Sequence, residues 1–508
     1  MPRPTETELK FLLSPEAAAE LWLHPALRAP GRTQRLRSVY FDTPGRGLHL
    51  GRMALRIRET GKKKVQTLKH YAGDSAFSRG EWETEVQGDG IDTAALSNTP
   101  AAKALKRDKG KLEPVFVTEV ERRIRHCTAD AALIEVGFDV GELSAGDRHA
   151  PIHEVELELK RGDPSALFIL ARRLAADIDI RLSFESKSER GYRLDEGAEL
   201  EPRGAEPPEL DPGTSAASAF KALSLSCLGQ AAANADILSG HSRPEALHQL
   251  RVGLRRLRAV IKAFEPIVAG QEADAVDAEL EWLAGELDEA RDLDVLMSES
   301  YRSALRRLPP DGLAALGRRL IQARTEAYER AVKAVQSRRC AQLWLETAAW
   351  IETGAWARYD DPVSASARAL DVRSFACEAL DHLRKVVLKR AARWPRLDAR
   401  GRHKLRIRAK RLRYVAELVL PLFRDREKKI RSFRKALRQM QTCLGQLNDI
   451  TGARDRALAA AGAESPELGF ALGRVVGWRE AEEPALRKAA ERALKTFRRA
   501  EPFWRAPS

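Results

Sequence analysis

Acidic and basic residues occupy every second position in several short segments of the first 200 residues. Glu6, Glu8 and Lys10 form one such series. Side chains two residues apart lie on the same face of a β-strand, so these three would share a face. The same spacing recurs at Arg56 and Arg58, at Glu81, Glu83 and Glu85, and at Glu154, Glu156, Glu158 and Lys160. Each segment is therefore predicted to be a strand with one ionic and one apolar face.

Two arrangements could accommodate these ionic faces. In an ordinary antiparallel sheet they would face solvent. Carboxylates cluster on some segments and Arg or Lys on others, however, whereas a solvated face mixes both signs. A closed barrel would bring the segments together around a tunnel that holds a polyphosphate and its metals. Divalent cations such as Mg²⁺ prefer oxygen ligands, which a Glu-x-Glu pair supplies.

The segments that carry these residues are bounded by turn signals such as DTPGRG, DVGE and AGD. This spacing predicts a mostly antiparallel β-structure. Two stretches with helical periodicity interrupt it, one near Ser14 to Leu23 and one near Pro164 to Ala176. The first 200 residues are therefore expected to fold as an α+β domain.

The order of these motifs resembles that of one known family. ETELKF resembles the opening Glu-x-Glu-x-Lys signature of the CYTH superfamily, which includes class IV adenylyl cyclases, thiamine triphosphatases and inorganic triphosphatases. It is followed by SVYFDTP, ALRIR, TLK, SRGEWE, LIEVGFDVGEL, PIHEVELELK and SKSERGY. The series is similar to bacterial inorganic triphosphatases over residues 1–195. The resemblance implies an eight-stranded triphosphate tunnel that binds metal through acidic residues and phosphate through basic ones.

The resemblance also implies roles for individual residues. The metal ligands, for Mg²⁺ or Mn²⁺, would be Glu6, Glu8, Glu156 and Glu158. The catalytic cations would be Lys10, Lys69, Arg122 and Lys187, and the further substrate-binding residues would be Arg56, Arg58 and Arg190. Glu135, Asp139 and Glu154 match the acidic positions less closely, since each could equally orient an arginine or end a strand at the DVGE turn. Hydrolysis of inorganic triphosphate by positioning and charge neutralisation is the expected activity.

After residue 213 the pattern changes to Ala-, Leu- and Arg-rich stretches with a period near 3.6, which predicts an all-α region. This region repeats itself, because HQLRVGLRRLR returns as HKLRIRAKRLR. At 100° per residue, each copy places one histidine and three cations on one arc beside an apolar arc. The cationic residues of the two copies are His248, Arg251, Arg255, Arg258, His403, Arg406, Lys410 and Arg413. Such rows fit a bound polyanion or, alternatively, cations that simply extend into solvent.

The repeats resemble the conserved-histidine α-helical domain, CHAD, over roughly residues 214–500. In that family two helical halves form a basic channel that binds inorganic polyphosphate, and the eight residues named above match its motif. A second repeated segment is less similar: LDEARDLDVL, which begins at Leu287, returns as LGQLNDITGA, which begins at Leu444. Asn448 and Asp449 match its acidic RDLD residues only in part. The resemblance therefore implies inorganic polyphosphate as a second partner.

Composition supports this division. Residues 1–200 hold 32 basic and 32 acidic side chains, so the whole formal charge of +14 lies in the C-terminal part. A Pro-, Gly- and Glu-rich stretch at 201–213 is predicted to be a linker. We therefore expect a tunnel domain at 1–200 and a helical domain at 214–508 with halves near 214–358 and 368–500. The basic excess predicts a polyanionic partner for the helical domain.

Several classes of protein are disfavoured. Five widely spaced cysteines indicate neither a disulfide framework nor a cysteine-rich metal site. No run of about 18 uncharged apolar residues occurs, and the N-terminus lacks a signal-peptide core. A cytoplasmic protein without a membrane partner is expected, associated with polyphosphate granules where these occur.

Three other functions compete with triphosphate hydrolysis. The first is a polyphosphate-binding or targeting protein whose tunnel is a sensor or only weakly active, but its carboxylates would then lack a purpose without metal. The second is an adenylyl cyclase, for which no adenine pocket is identifiable. The third is a nucleic-acid binder, which we do not expect because the basic half lacks aromatic stacking platforms.

Overall fold

The computed structural model describes residues 5–71, 77–108, 110–129, 131–241, 243–461 and 466–505. The chain divides into two compact units. The first comprises residues 1–202 together with 338–354, and the second comprises residues 203–337 together with 355–508. Among the helices in the described ranges, none combines the length and the apolar character needed to cross a membrane.

The first unit is built on a closed antiparallel barrel. Its strands are β1 (Thr5–Leu12), β2 (Gly31–Asp42), β3 (Met53–Thr60), β4 (Lys63–His70), β5 (Ser78–Glu85), β6 (Glu113–Ala129), β7 (Ala132–Ala145), β8 (Arg148–Arg161) and β9 (Arg181–Leu182). Eight strands pair in the order β5-β4-β3-β2-β6-β7-β8-β1, and β1 pairs back onto β5 to close the barrel. The short β9 extends β1. The predicted eight-stranded α+β tunnel is confirmed.

Helices cover the outside and one end of the barrel. They are α1 (Pro15–Leu23), α2 (Gly47–Leu50), α3 (Ala101–Arg107), α4 (Ser165–Asp177) and α5 (Lys187–Asp195). On β1 the apolar residues Leu9 and Phe11 are fully buried, while Glu8 and Lys10 line the interior. The strand alternation read from the sequence therefore places the ionic faces inside the barrel. The alternative of a solvated ionic face is wrong for β1, whereas Glu83 and Glu85 on β5 are exposed.

Apolar side chains fill one end of the interior. Leu36, Val120, Leu143 and Ile152 pack there on four different strands. Tyr192 on α5 joins the same cluster and packs edge-on against Phe116. The helix lies so close to that ring that a Cβ at Gly191 would approach Phe116 Cε2 to 2.2 Å, which only glycine avoids. Helix α5 thus closes this end of the barrel.

The remaining helices are α6 (Ala216–Gly240), α7 (Pro244–Ala263), α8 (Glu265–Val268), α9 (Gln271–Glu286), α10 (Asp288–Val295), α11 (Arg302–Arg307), α12 (Leu313–Gln336), α13 (Arg338–Thr353), α14 (Pro362–Ala369), α15 (Val372–Ala391), α16 (Ala399–Leu418), α17 (Glu427–Ala461), α18 (Pro466–Ala481) and α19 (Glu483–Arg499). All belong to the second unit except α13, which is part of the first unit and contacts α4. Arg172 of α4 forms a bidentate ion pair with Glu346 of α13. The helical periodicity after residue 213 does not predict that this helix packs in the unit of the barrel.

The internal repeat maps onto two helices that pack against each other, α7 and α16. Their apolar arcs are buried, with Leu250, Leu254, Leu405 and Ala409 fully enclosed. The two repeated regions also begin side by side, because Ser215 and Asp371 form an isolated antiparallel bridge. Both residues cap the helix that follows, α6 and α15 respectively. The predicted all-α architecture of the second unit is confirmed.

Candidate active site and candidate anion-binding site

Ionic side chains occupy the middle of the barrel, beyond its apolar end. Glu8, Lys10, Arg122, Asp139 and Glu154 are each less than a tenth exposed. They come from four strands whose alternate positions point inward. The register sets Lys10 directly opposite Glu156 on β8, and Asp139 opposite Glu154. Closure of the sheet therefore brings together ionic residues that are distant in sequence.

Arg122 connects three strands. Its guanidinium donates two hydrogen bonds of 2.6 Å to Asp139 and a further one to Glu156. Burial raises the pKa of Asp139, but the charges of Arg122 and Lys187 outweigh it and lower that pKa to about 2. Both partners are therefore charged at neutral pH. Arg122 is held in a fixed, bidentate orientation toward the interior.

Lys187 reaches the same cluster from helix α5. The helix begins with a capping box, in which Ser186 Oγ accepts from the Glu189 backbone N–H and Glu189 accepts from that of Ser186. This cap places Lys187 in the first turn, 2.7 Å from Asp139 and 2.9 Å from Glu156. Burial lowers the pKa of Lys187, but the three carboxylates around it raise the pKa above its usual value. Arg190, one turn later, donates to Glu154 at 3.0 Å.

Carboxylate oxygens of Asp139, Glu154 and Glu156 all lie within 4.8 Å of one another. Lys10 stands 3.8 Å from Glu154 and 3.7 Å from Glu156. A trio of oxygen donors this close matches the ligand chemistry of a hard divalent cation. The barrel therefore contains an acidic cluster with oxygen donors suited to a metal ion. Among the predicted ligands, Glu156 belongs to this trio.

Glu6 and Glu8 lie on β1 and bind two cations. Lys69 Nζ is 2.6 Å from Glu6 and 3.2 Å from Glu81. Arg79, from β5, donates to Glu6 at 2.7 Å and also binds Glu8. Arg79 is a site residue that the sequence reading missed. Its only signal was its position two residues before Glu81 on an alternating strand.

Glu158 lies on the same strand face as Glu156, directly opposite both Glu8 and Glu135. Lys160 is its nearest cation, at 2.7 Å. Burial and the neighbouring charges of Glu6 and Glu135 raise the pKa of Glu158, although Lys160 opposes them. Lys160 also lies 3.7 Å from Glu135, and Arg79 contacts Glu8, so each of these carboxylates already has a basic neighbour.

Two arginines on β3 differ from the other cations of the barrel. Arg56 donates to the Tyr40 hydroxyl at 3.3 Å and Arg58 to Ser38 Oγ at 3.4 Å. No described carboxylate lies within ion-pairing distance of either. Burial, together with the charges of Arg56 and Arg122, lowers the pKa of Arg58 to about 10. These two guanidinium groups are accordingly available for an anion.

The sequence-predicted residues thus converge on one chamber. Lys10, Arg122, Lys187, Arg190 and Glu156 form a single ion-pair network. Glu6, Glu8 and Lys69 form a second network around Arg79, and Arg56 and Arg58 line the β3 wall. Glu158 stands apart from both networks with Lys160. Asp139 and Glu154, whose role was left open, are fully buried and orient the cations.

A second group of cations lies where α7 and α16 meet. Arg255 of α7 and Arg406 of α16 are both close enough to Lys410 to affect its ionisation. Burial and these two positive charges lower the pKa of Lys410 to about 6. Among the described side chains, no carboxylate forms an ion pair with any of these three, and Arg406 Nε is buried without a hydrogen-bond partner. The structure therefore brings the two copies of the repeat to one basic site.

The other predicted residues of the two rows are partly neutralised. Arg251 is buried and binds Asp288 and the Leu287 carbonyl oxygen, while Arg258 binds Asp277 at 2.6 Å. His403 lies 2.5 Å from the Asn448 side-chain oxygen. Arg413 is 3.9 Å from Glu417. Burial and the charge of Arg291 lower the pKa of His248, which keeps that ring neutral near pH 7.

Two family models match the chain. Residues 4–192 match the CYTH domain and residues 222–458 match the CHAD domain. The inorganic triphosphatase of Haemophilus influenzae is 31% identical over 194 residues, which are 37% of this chain and 54% of that enzyme. The chain thus spans about half the length of that relative.

Two further relatives cover the helical part. An uncharacterized protein of Mycobacterium tuberculosis is 30% identical over 422 residues, 76% of each chain. The crystal structure of the CHAD domain from the plant Ricinus communis is 31% identical, covers 58% of this chain and 96% of its own, and superposes with a TM-score of 0.49. The two family models together extend across both units.

Proposed function

The chain belongs to the proteins that carry a CYTH domain followed by a CHAD domain, and we propose that it hydrolyses inorganic triphosphate in the barrel and binds inorganic polyphosphate through the helices. In this proposal the functional domains are residues 1–200 and 214–508 with a linker at 201–213, and α13 is the part of the second range that packs in the first unit. The mixture of buried carboxylates and cations in one chamber carries the assignment of the barrel. Similarity to the Haemophilus inorganic triphosphatase supports it.

The carboxylates in the chamber would serve as metal ligands. Glu6, Glu8, Glu156 and Glu158, with Asp139 beside them, would hold Mg²⁺ or Mn²⁺ through oxygen atoms. A bound divalent cation supplies charge neutralisation on the phosphate oxygens. A site for an anion alone would gain nothing from carboxylates placed beside it.

The cations of the chamber would bind the triphosphate substrate. Arg56 and Arg58 have no carboxylate partner among the described side chains and face the same interior as Lys10, Lys69, Arg122 and Lys187. Together they would bind the phosphate oxygens and stabilise charge that builds up as a P–O–P bond breaks. Water supplies the oxygen that bonds to the terminal phosphorus, one water proton passes to solvent, and diphosphate leaves. The products are diphosphate and phosphate.

The closed end of the barrel favours a short phosphate chain. Tyr192, Phe116 and the apolar side chains around them fill the interior at the α5 end. A long polyphosphate would have to pass through this apolar cluster to thread the barrel. Triphosphate, or the terminus of a longer chain, needs only the ionic chamber.

The helical unit carries a different site. Arg255, Arg406 and Lys410 meet where the two repeats pack and lack carboxylate partners among the described side chains, as a binding site for a chain of negative charges requires. A polyanion releases counterions from such a site, so its binding should weaken as salt is added. Similarity to CHAD domains supports polyphosphate as this polyanion.

A phosphate-release screen of the full chain tests the proposal. Triphosphate, ATP, thiamine triphosphate and long polyphosphate are each supplied with Mg²⁺ or Mn²⁺, and triphosphate should be hydrolysed with the highest kcat/KM. Chelation of the metal should stop the reaction. Formation of cyclic AMP from ATP as the main reaction would instead identify an adenylyl cyclase. Absence of hydrolysis with every substrate would leave the barrel as a binding domain.

A further inference from the structure

Arg79 occupies a special position at the seam that closes the barrel. It lies on β5 directly opposite Glu6 of β1, where the pairing of these two strands closes the barrel. Its Nε is 2.7 Å from Glu6 Oε2, and its Nη2 contacts Glu8 Oε1. Its side chain is 12% exposed, against 8% for Glu6 and 6% for Glu8. A single buried guanidinium thus bridges two carboxylates.

These two carboxylates are the same ones that would hold the metal under the proposed function. Mg²⁺ binds carboxylate oxygens at about 2.0–2.1 Å and demands near-ideal octahedral geometry. The guanidinium already uses one oxygen of each carboxylate, and a second positive charge placed beside it in a buried site would be repelled strongly. Arg79 and a divalent cation therefore compete for Glu6 and Glu8.

We propose that Arg79 is a positioning residue that competes with the divalent cation for Glu6 and Glu8 and, when displaced, binds triphosphate, so that metal and triphosphate bind cooperatively. The inference rests on the proposed function. A buried guanidinium that loses its carboxylates is left uncompensated, which costs several kcal/mol unless another anion replaces them. The oxygens of a phosphate chain are such an anion and match the guanidinium in geometry. Arg79 also lines the same cavity as Lys10, Arg56 and Lys187, so a phosphate bound there would be within its reach.

The competition predicts opposite effects on the two ligands when Arg79 is replaced. Without the guanidinium, Glu8 loses its cationic partner and Glu6 keeps only Lys69, at 2.6 Å, so metal alone should bind more tightly. Triphosphate should bind more weakly, because it loses one cationic partner. A residue that merely held β1 against β5 would instead weaken both ligands when removed.

The test measures Mn²⁺ binding to the full chain by titration calorimetry and by the electron paramagnetic resonance signal of free Mn²⁺. Arg79→Gln should bind Mn²⁺ at least about tenfold more tightly than the wild type in the absence of triphosphate, as expected from removing a hydrogen bond to a charged group. The variant should bind imidotriphosphate, a triphosphate analogue with bridging N–H groups, more weakly. Lys63→Gln, which removes an exposed cation 3.3 Å from Glu85, is the matched control and should change neither.

Arg79→Lys is a second variant that tests the same role if Arg79→Gln does not fold. Lysine keeps the charge but cannot bridge two carboxylates in the same fork, so Mn²⁺ affinity should again rise, by less. Unchanged or weaker Mn²⁺ binding in the folded Arg79 variants would overturn the role of Arg79 while leaving the metal site intact. If the wild type binds no Mn²⁺, with or without imidotriphosphate, the metal assignment fails and this proposal fails with it.

Discussion

The interior of the barrel and the junction of α7 and α16 are both rich in cations, but they differ in what lies beside each cation. In the barrel Arg122 binds Asp139 and Glu156, and these charges raise its pKa despite burial. At the helix junction Lys410 has Arg255 and Arg406 as neighbours, and its pKa falls to about 6. A site for a metal together with an anion needs both signs of charge, whereas a site for an anion alone needs one.

Stability should show this difference most strongly. Arg122→Gln removes the bidentate partner of the fully buried Asp139 and leaves Lys187 as its remaining cation, and we expect a loss of about 3 kcal/mol of unfolding free energy. Arg123→Gln, on the outward face of the same strand, breaks a half-exposed pair with Glu121 and should cost less than about 0.5 kcal/mol. Thermal unfolding of the full chain, with hydrogen exchange of β6 and β7 to identify the barrel, measures both.

The matching change at the helix junction should behave differently. Arg406→Gln removes a largely buried cation that repels Arg255 and is attracted by Asp449 without a described ion pair, so stability should change little. A loss as large as that of Arg122→Gln would show that Arg406 has a compensating partner and would remove the contrast between the two regions.

The alternating residues of β1 and β8 allowed the ionic faces to be predicted, because a strand with period two presents one face consistently. The partner of each residue was not predictable in the same way. Arg79 meets Glu6 only because β5 closes onto β1, a pairing across more than 70 residues that no local pattern encodes. Tyr192 and the closure of the barrel by α5 were missed for the same reason.

The helical unit shows a similar limit. Its repeat predicted two rows of cations with equal roles. In the structure the residues of each row differ, because some form ion pairs with carboxylates and others do not. Arg251 and Arg258 are bound to Asp288 and Asp277, whereas Arg255, Arg406 and Lys410 form no ion pair with a described carboxylate. Helices α9 and α10 pack against α7, and this packing decides which acidic residues face the row of cations on α7. The periodicity of α7 alone does not predict this packing.

Charge reversal at the helix junction should have the second largest effect, which is a loss of polyphosphate affinity. Arg255→Glu with Arg406→Glu should weaken binding of long polyphosphate by at least about a hundredfold, since two contacts with charged groups are each worth roughly 1.5–3 kcal/mol. Arg498→Glu with Arg499→Glu changes the net charge equally at the exposed end of α19 and is the control. Equal losses in both double variants, measured at one salt concentration, would indicate diffuse attraction.

A smaller effect should appear in the pH dependence of that binding. Because the pKa of Lys410 is about 6 in the free protein, the amine is mostly neutral above that pH and must take up a proton when a polyanion binds. Affinity should therefore fall as pH rises above 6, by up to about tenfold per pH unit, and should be flat below it. The charges of Arg406, Arg255 and Arg413 lower the pKa of Lys410, and the charge of Asp449 opposes them.

Lys410→Arg checks the source of this pH dependence. An arginine remains protonated at these pH values, so the variant should bind polyphosphate with an affinity that varies little between pH 6 and pH 9. Calorimetry in buffers of different ionisation enthalpy counts the protons taken up. An unchanged pH profile in the variant would assign the proton to another group.

The division of labour between the two regions is tested most directly by Glu6→Gln with Glu8→Gln in the full chain. Circular dichroism establishes that the variant is folded, and triphosphate hydrolysis with Mg²⁺ or Mn²⁺ is then measured beside binding of long polyphosphate. The account predicts that hydrolysis falls to the background rate while polyphosphate affinity is unchanged. Undiminished hydrolysis in the folded variant would contradict it.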